Sequence, residues 1–401
     1  MFDFIIIGGG IIGLNLARVL KERYPGAGIL LIEKEEDVAR HGSGRNSGVL
    51  HAGFYYTANS LKARFTRDGN ARLQAFCREQ GLRINPCGKV VVAQNDKEVQ
   101  GLEELKRRGD INGVELQWLD AEELARRFPE ARTCCKALFS PTTATVDPME
   151  VTQAFRGVVE KMGVEVRTGT AYEGRRGKNE IITNRGTIPF KKLINAAGLY
   201  ADKVARDFGF AQNYVIIPFK GIYLKDKDNS AGLTANVYPV PNLANPFLGI
   251  HYTLTVAGEA KIGPTAIPAF WRENYQGLDN FRIAEMLQIF NYETRLFLNN
   301  AFGFRTLAWS EIRKYNRAHF LDLAGKLTDN INHEGFKEWS RPGIRAQLLD
   351  TRTLELVQDF VVEGDETSLH ILNAVSPAFT SSMPFAEWVV DNFGAMTSHS
   401  S

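Results

Sequence analysis

Phe4-Ile5-Ile6-Ile7-Gly8-Gly9-Gly10-Ile11-Ile12-Gly13 opens the chain, and twenty residues after Gly13 stands Glu33, closing the apolar run Ile29-Leu30-Leu31-Ile32. The first apolar run reads as a buried parallel strand. Gly8 permits a tight turn, Gly10 lets backbone approach a pyrophosphate, and Gly13 lets the helix from Leu14 to Lys21 pack close on the strand. That helix N-terminus is a ready anion site, and Glu33 is placed to accept hydrogen bonds from a ribose. The pattern predicts a dinucleotide-binding βαβ unit; the bland alternative is a Gly-rich turn in some other α/β sheet.

A chain of 401 residues has room for about two or three domains and an ample core. Hydrophobic content of 44% and charged content of 23% are those of an ordinary globular protein. A net charge of +2 and the lack of a long basic run give no case for nucleic-acid binding. Cys77, Cys87, Cys134 and Cys135 lack metal-ligand spacing and read as reduced thiols, so no metal is expected. A strand beginning at residue 2 leaves no room for a signal peptide, and no 18-residue apolar stretch exists. The expectation is a cytoplasmic protein, with peripheral attachment to an inner membrane face left open.

Patterning along the chain is α/β at both ends and β-rich in the middle. Leu61 to Gln80 and the Asp147-capped segment through Met162 are helical, as is Thr380 to Phe393. Lys89 to Ala93, Phe219 to Leu224, Ala235 to Pro239, Phe247 to Thr255 and Ala260 to Gly263 read as strands, Phe281 to Gly325 as largely helical, and Arg341 to Gln347 as a late loop. The expected fold class is α/β, α+β overall. A Rossmann-like domain is built from residues 1–85, 141–214 and 335–401. A mostly antiparallel β domain with a helical cap, residues 86–140 and 215–334, is inserted between them.

Three segments favour FAD over NAD. Ser43, Arg45, Asn46, Ser47 and Gly48 lie in a small-residue loop just past Glu33 that can line a pyrophosphate and the edge of an isoalloxazine. Asn195-Ala196-Ala197-Gly198 lets a strand end pass the cofactor unobstructed. Pro377, Ala378, Phe379 and Thr380 start a late helix whose dipole could stabilise a reduced, anionic ring. Each taken singly is equally a loop with a helix cap.

These segments, with Arg45-Asn46-Ser47-Gly48-Val49-Leu50-His51-Ala52-Gly53-Phe54-Tyr55-Tyr56, Pro218-Phe219-Lys220-Gly221, Tyr238-Pro239-Val240-Pro241, Gly263-Pro264-Thr265-Ala266 and Arg341-Pro342-Gly343-Ile344-Arg345-Ala346-Gln347, resemble the D-amino-acid oxidase-like FAD-dependent oxidoreductases. Within that group the closest likeness is to the L-2-hydroxyglutarate dehydrogenases and oxidases, across nearly the whole chain. The resemblance implies FAD, with Lys34 and Gly343 added to its contacts. It also implies a small 2-hydroxy-acid substrate, and oxygen or a membrane quinone as electron acceptor. Two positions depart from the group's pattern: Ile222 stands where an acid is usual, and Leu254 where a base often follows His-x-Thr.

Oxidising L-2-hydroxyglutarate to 2-oxoglutarate needs a base for the hydroxyl proton while hydride leaves to flavin N5, and a cation for carboxylate. His51, just past the flavin loop, and His251, opposite the apolar stripe of its strand, are the candidate bases; buried or surface histidines are the plain alternatives. Arg345 is the candidate carboxylate clamp, and Lys220 and Tyr252 are further candidates for touching substrate. An amine or amino-acid oxidase, a glycerol-3-phosphate-type dehydrogenase and a flavin-binding accessory protein without turnover stay open as alternatives.

Overall fold

The computed structural model describes residues 1–241, 249–329 and 331–392. Phe247 and Leu248, with which the third expected middle strand begins, and Phe393 lie outside them. A parallel sheet forms the frame. Phe2–Ile7 runs between Ile29–Ile32 and Gly186–Asn195, with Glu165–Arg167 beyond the first and Ser368–Asn373 beyond the second. Val361–Gly364 adds an antiparallel edge. The start of the long strand Gly186–Asn195 also pairs with the meander Tyr172–Arg176 and Glu180–Thr183.

Both faces of this sheet are covered, which explains its unbroken apolar runs. Phe4, Ile6, Ile29 and Leu31 bury against helices Ile11–Arg23, Leu61–Glu79, Pro148–Lys161 and Ala378–Asn392. Ile5, Ile7, Leu30 and Ile32 bury on the other side with Phe190, Val204 and Phe208. The helix from Pro148 begins as its sequence indicates, with Asp147 Oδ1 accepting from Met149 N and Glu150 N.

The β-rich middle forms a second, eight-stranded sheet. Lys89–Val92 is central, between Lys136–Ser140 and Asn236–Pro239, followed outward by His251–Leu254, Ala260–Gly263, Leu224–Asp226 and Glu338–Trp339. One expectation is corrected. Gly343–Asp350 is no loop but an eight-residue strand, fully paired with Tyr214–Gly221. Its pattern does not alternate cleanly because Ile344 and Leu348 pack to one side while Leu349 packs to the other. Helices Ile283–Asn299 and Phe304–Arg313 cap that pair, burying Ile289, Leu296 and Phe304 against Val215, Ile217 and Phe219. Among the described residues no helix is long and apolar enough to cross a membrane.

Gly69 lies inside helix Leu61–Glu79, where alanine would ordinarily stabilise by about 1 kcal/mol. Here a Cβ would meet the Thr380 carbonyl oxygen at 2.0 Å, because this helix crosses the start of Ala378–Asn392. Gly69→Ala is therefore expected to destabilise the fold by about 2 kcal/mol, read as a lower urea midpoint.

Candidate active site

The parallel strands end at one edge of the sheet, and a cleft of about 1160 Å³ opens there. Gly8 and Gly10 form its floor, and Ala197, Gly198 and the segment Pro377 to Thr380 line it from neighbouring strand ends. Gly8 has φ +113, and a Cβ on it would meet the Ala196 carbonyl oxygen at 2.4 Å, so only glycine lets the two backbones approach. Gly13 does not reach the cleft; it holds the helix against the Gly8 carbonyl. Two helices, Ile11–Arg23 and Ala378–Asn392, start at the cleft, and neither carries an acid in its first turn.

Glu33 is buried at the end of its strand, with Oε2 accepting from Gly9 N at 2.7 Å and Oε1 from Glu35 N at 3.0 Å. The loop residues expected near the cofactor are placed by bonds both within the loop and to distant segments. Ser43 Oγ accepts from Ile11 N, Asn46 Oδ1 from Gly48 N and Ser47 Oγ from Val49 N. Arg45 donates to the Arg40 carbonyl and stacks 4.2 Å over Tyr275. These residues line the cleft except Gly48, which turns the loop at φ +76. Gly343 lines it as well, close against the Arg45 backbone.

Lys34 lines the cleft with its ammonium paired to Glu273 at 2.5 Å and Glu35 at 2.6 Å. Burial works against its charge, yet the two carboxylates outweigh burial and raise its pKa. His41 bonds Glu35 and Tyr275, and its hydrogen bond draws Glu35 down to about 2.

His51 lines the cleft and is 8% exposed. Its backbone N–H donates to Thr380 Oγ1, which ties it to the late helix. Burial, then the nearby Lys89 and His251, push its pKa well below the usual range, so the ring is neutral. His251 lies beside the cleft rather than in its wall, stacked on Tyr238 at 3.7 Å. Its Nδ1 is 2.8 Å from the Gly249 carbonyl oxygen, which can only accept. Nδ1 therefore carries the proton and Nε2 keeps its lone pair. Burial takes His251 down to about 3, with the Lys89 and Arg345 charges adding to the effect.

Arg345 lines the cleft from the strand Gly343–Asp350, not from a loop, and donates to the Thr265 carbonyl at 2.9 Å. Lys220 is half-buried outside the cleft wall, its ammonium 3.4 Å from Asn274 Oδ1. Tyr252 is a correction. Strand alternation sends its ring to the face opposite His251, among Val237, Phe320 and Phe336, where its hydroxyl bonds His333 and Thr328. Leu254 shares that buried face, so this departure from the family pattern does not alter the His251 side of the sheet. Sequence reading missed Lys89, although a lysine heading the strand Lys89-Val90-Val91-Val92 was a visible signal.

A family model described as "FAD dependent oxidoreductase" matches residues 3–392. This chain belongs to that family. Members similar to it include the L-2-hydroxyglutarate dehydrogenase of Escherichia coli (strain K12), 34% identical, with 97% of this chain and 92% of that protein covered. The mitochondrial L-2-hydroxyglutarate dehydrogenase of Homo sapiens is also 34% identical, covering 97% of this chain and 88% of its own. Among solved structures, a dithionite-reduced L-alpha-glycerophosphate oxidase from Mycoplasma pneumoniae with FAD bound has a TM-score of 0.75. It is 22% identical, with coverage of 97% and 94%. The family's cofactor, FAD, fits the residues present: a glycine floor that a Cβ would fill, two helix N-termini free of acids, and a buried carboxylate at the second strand end.

His251 also ties stability to pH. The unfolded chain takes up a proton near pH 6.5 that the folded chain refuses down to about 3. The stabilisation is thus full above pH 6.5 and is lost as pH falls below it. Between pH 7 and pH 5, His251→Gln is expected to lose about 2 kcal/mol less than the parent, measured by urea unfolding at both values.

Proposed function

We propose that the enzyme oxidises L-2-hydroxyglutarate to 2-oxoglutarate. The observation that carries the reading is a pair of neutral histidines, His51 and His251, with Arg345 nearby, in a chain similar over nearly its full length to L-2-hydroxyglutarate dehydrogenases. Bound FAD supplies the acceptor for the hydride. The chain's own groups do the rest. The Gly8–Gly10 turn and the N-terminus of Ile11–Arg23 would hold the cofactor's phosphates, Glu33 a ribose, and the N-terminus of Ala378–Asn392 would face the flavin ring. Arg345 holds a substrate carboxylate. A neutral imidazole takes the hydroxyl proton as the α-hydrogen leaves with its electron pair and C–O becomes C=O. In this division, the segments around the parallel sheet hold the cofactor and the inserted sheet holds the substrate.

Anaerobic addition of L-2-hydroxyglutarate is expected to bleach the flavin of the purified holoenzyme, followed by absorbance. Replacing the histidine that acts as base, His51→Ala or His251→Ala, should slow that reduction by about 10² to 10⁴-fold. No bleaching in the parent, or bleaching by glycerol 3-phosphate or an amino acid instead, overturns the substrate. Unchanged rates in both variants overturn the histidine base.

The electron acceptor is inferred to be a membrane quinone, reached through the helical cap. Leu287, Phe290, Phe297, Leu298 and Trp309 are exposed there. From residue 281 to 317 every acid (Glu285, Glu293, Glu311) is buried, whereas Arg282, Arg295, Arg305, Arg313 and Arg317 face outward. An apolar surface fringed only by cations suits an anionic lipid surface. Binding to phosphatidylglycerol vesicles, weakened by salt and by Trp309→Ser, is the expected outcome of a flotation assay; equal binding to zwitterionic vesicles, or none, counts against it.

A further inference from the structure

Lys89 is fully buried, yet its ammonium has no hydrogen-bond partner among the described residues. It sits over three rings instead, 5.0 Å from Phe54, 4.5 Å from Tyr55 and 4.6 Å from Tyr238. The Tyr55 hydroxyl is also buried without a partner among the described residues, and the buried Tyr238 hydroxyl has Thr253 beside it. Cation–π contact offsets part of the cost of dehydrating an ammonium, but it leaves all three donors unused. The titratable groups facing it are His51, His251, Tyr55 and Tyr238, and among the described residues no carboxylate counters its charge.

The register places this ammonium on the face that matters. In the second sheet Val91 pairs with Tyr238, and Val237 pairs with Tyr252, so Lys89, Val91, Tyr238 and His251 share one face. His251 thus feels Lys89 from the sheet, Arg345 from the cleft wall and, last of the three, Lys314, which is paired to Glu311. A buried cation with unused donors calls for an anion, and a substrate with two carboxylates needs two cations around its reacting carbon.

We propose that Lys89 receives the distal carboxylate of a dicarboxylic substrate whose other carboxylate is held by Arg345, making Lys89 the residue that selects dicarboxylic over monocarboxylic 2-hydroxy acids. This rests on the hydroxy-acid reading above. Burial brings the amine down to about 7, so an arriving carboxylate can restore its full charge. The Tyr55 and Tyr238 hydroxyls supply two further donors to the same oxygens.

The test uses the FAD-loaded parent with Lys89→Met and Lys89→Arg. Binding of glutarate, a dicarboxylate without the reactive hydroxyl, is read from the perturbed flavin spectrum, and anaerobic flavin reduction is followed with L-2-hydroxyglutarate and L-2-hydroxybutyrate. Lys89→Met is expected to weaken glutarate binding and raise the half-saturating L-2-hydroxyglutarate by about 10- to 100-fold. The half-saturating L-2-hydroxybutyrate should change far less, so that the preference for the dicarboxylate falls, and Lys89→Arg should restore part of it. If Lys89→Met fails to hold FAD, the neutral Lys89→Gln takes its place: an unchanged ratio of dicarboxylate to monocarboxylate affinity in it overturns the proposal. Equal loss toward both substrates in Lys89→Met also overturns it, as does unchanged glutarate binding. A parent that binds glutarate through Lys89 but is reduced by no hydroxy acid leaves Lys89 its ligand and sinks the functional reading alone.

Discussion

The approach of two backbones, Gly8 against the Ala196 carbonyl, is the constraint from which the rest of the molecule follows. With any side chain at Gly8 the first strand and Gly186–Asn195 could not end side by side. The turn would lift from the sheet edge, and the helix at Ile11 would start elsewhere. Held as it is, the turn lets Glu33 reach back to Gly9 and lets Ser43 cap the first helix, so one close contact organises three stretches of chain. Asn195 serves the same corner, accepting from Ala197 N and donating to the Ala201 carbonyl.

On the His251 face of the second sheet the organising fact is charge without counter-charge. The sheet carries buried Lys89 and His251, buried His51 lies near them, and no acid stands among them in the described residues; the histidines answer by staying neutral. A buried unpaired cation costs several kcal/mol, which no core would retain for packing alone. The inserted sheet thus spends stability on one face and recovers it on the other, where Val90, Val92, Val237, Tyr252 and Leu254 close around Phe320 and Phe336.

The parallel frame was legible in the sequence because its signals are local: apolar runs buried on both sides, glycines where backbone must approach, Asp147 at a helix start. The cleft-lining loop after Glu33 was legible in part for the same reason, since Asn46 and Ser47 bond within a few positions of themselves, whereas Ser43 reaches Ile11. What escaped depends on partners far away in the chain. Gly343–Asp350 read as a loop because its pairing with Tyr214–Gly221 spans more than a hundred residues. Tyr252 does not reach the His251 face because alternation puts adjacent residues on opposite faces, and its hydroxyl is held by His333 and Thr328 from distant segments. Lys89 was hidden inside a strand assignment, since nothing local shows that Phe54, Tyr55 and Tyr238 close over its ammonium.

The late helix Ala378–Asn392 packs against both Ile11–Arg23 and Leu61–Glu79, and its first turn forms a wall of the cofactor cleft. Thr380 reaches back to His51 and Val49 across more than three hundred residues. During synthesis the nascent chain therefore displays its glycine turn long before that wall exists. Cofactor capture becomes a late event in biogenesis, and retained flavin is a sign that the two distant parts of the chain have met.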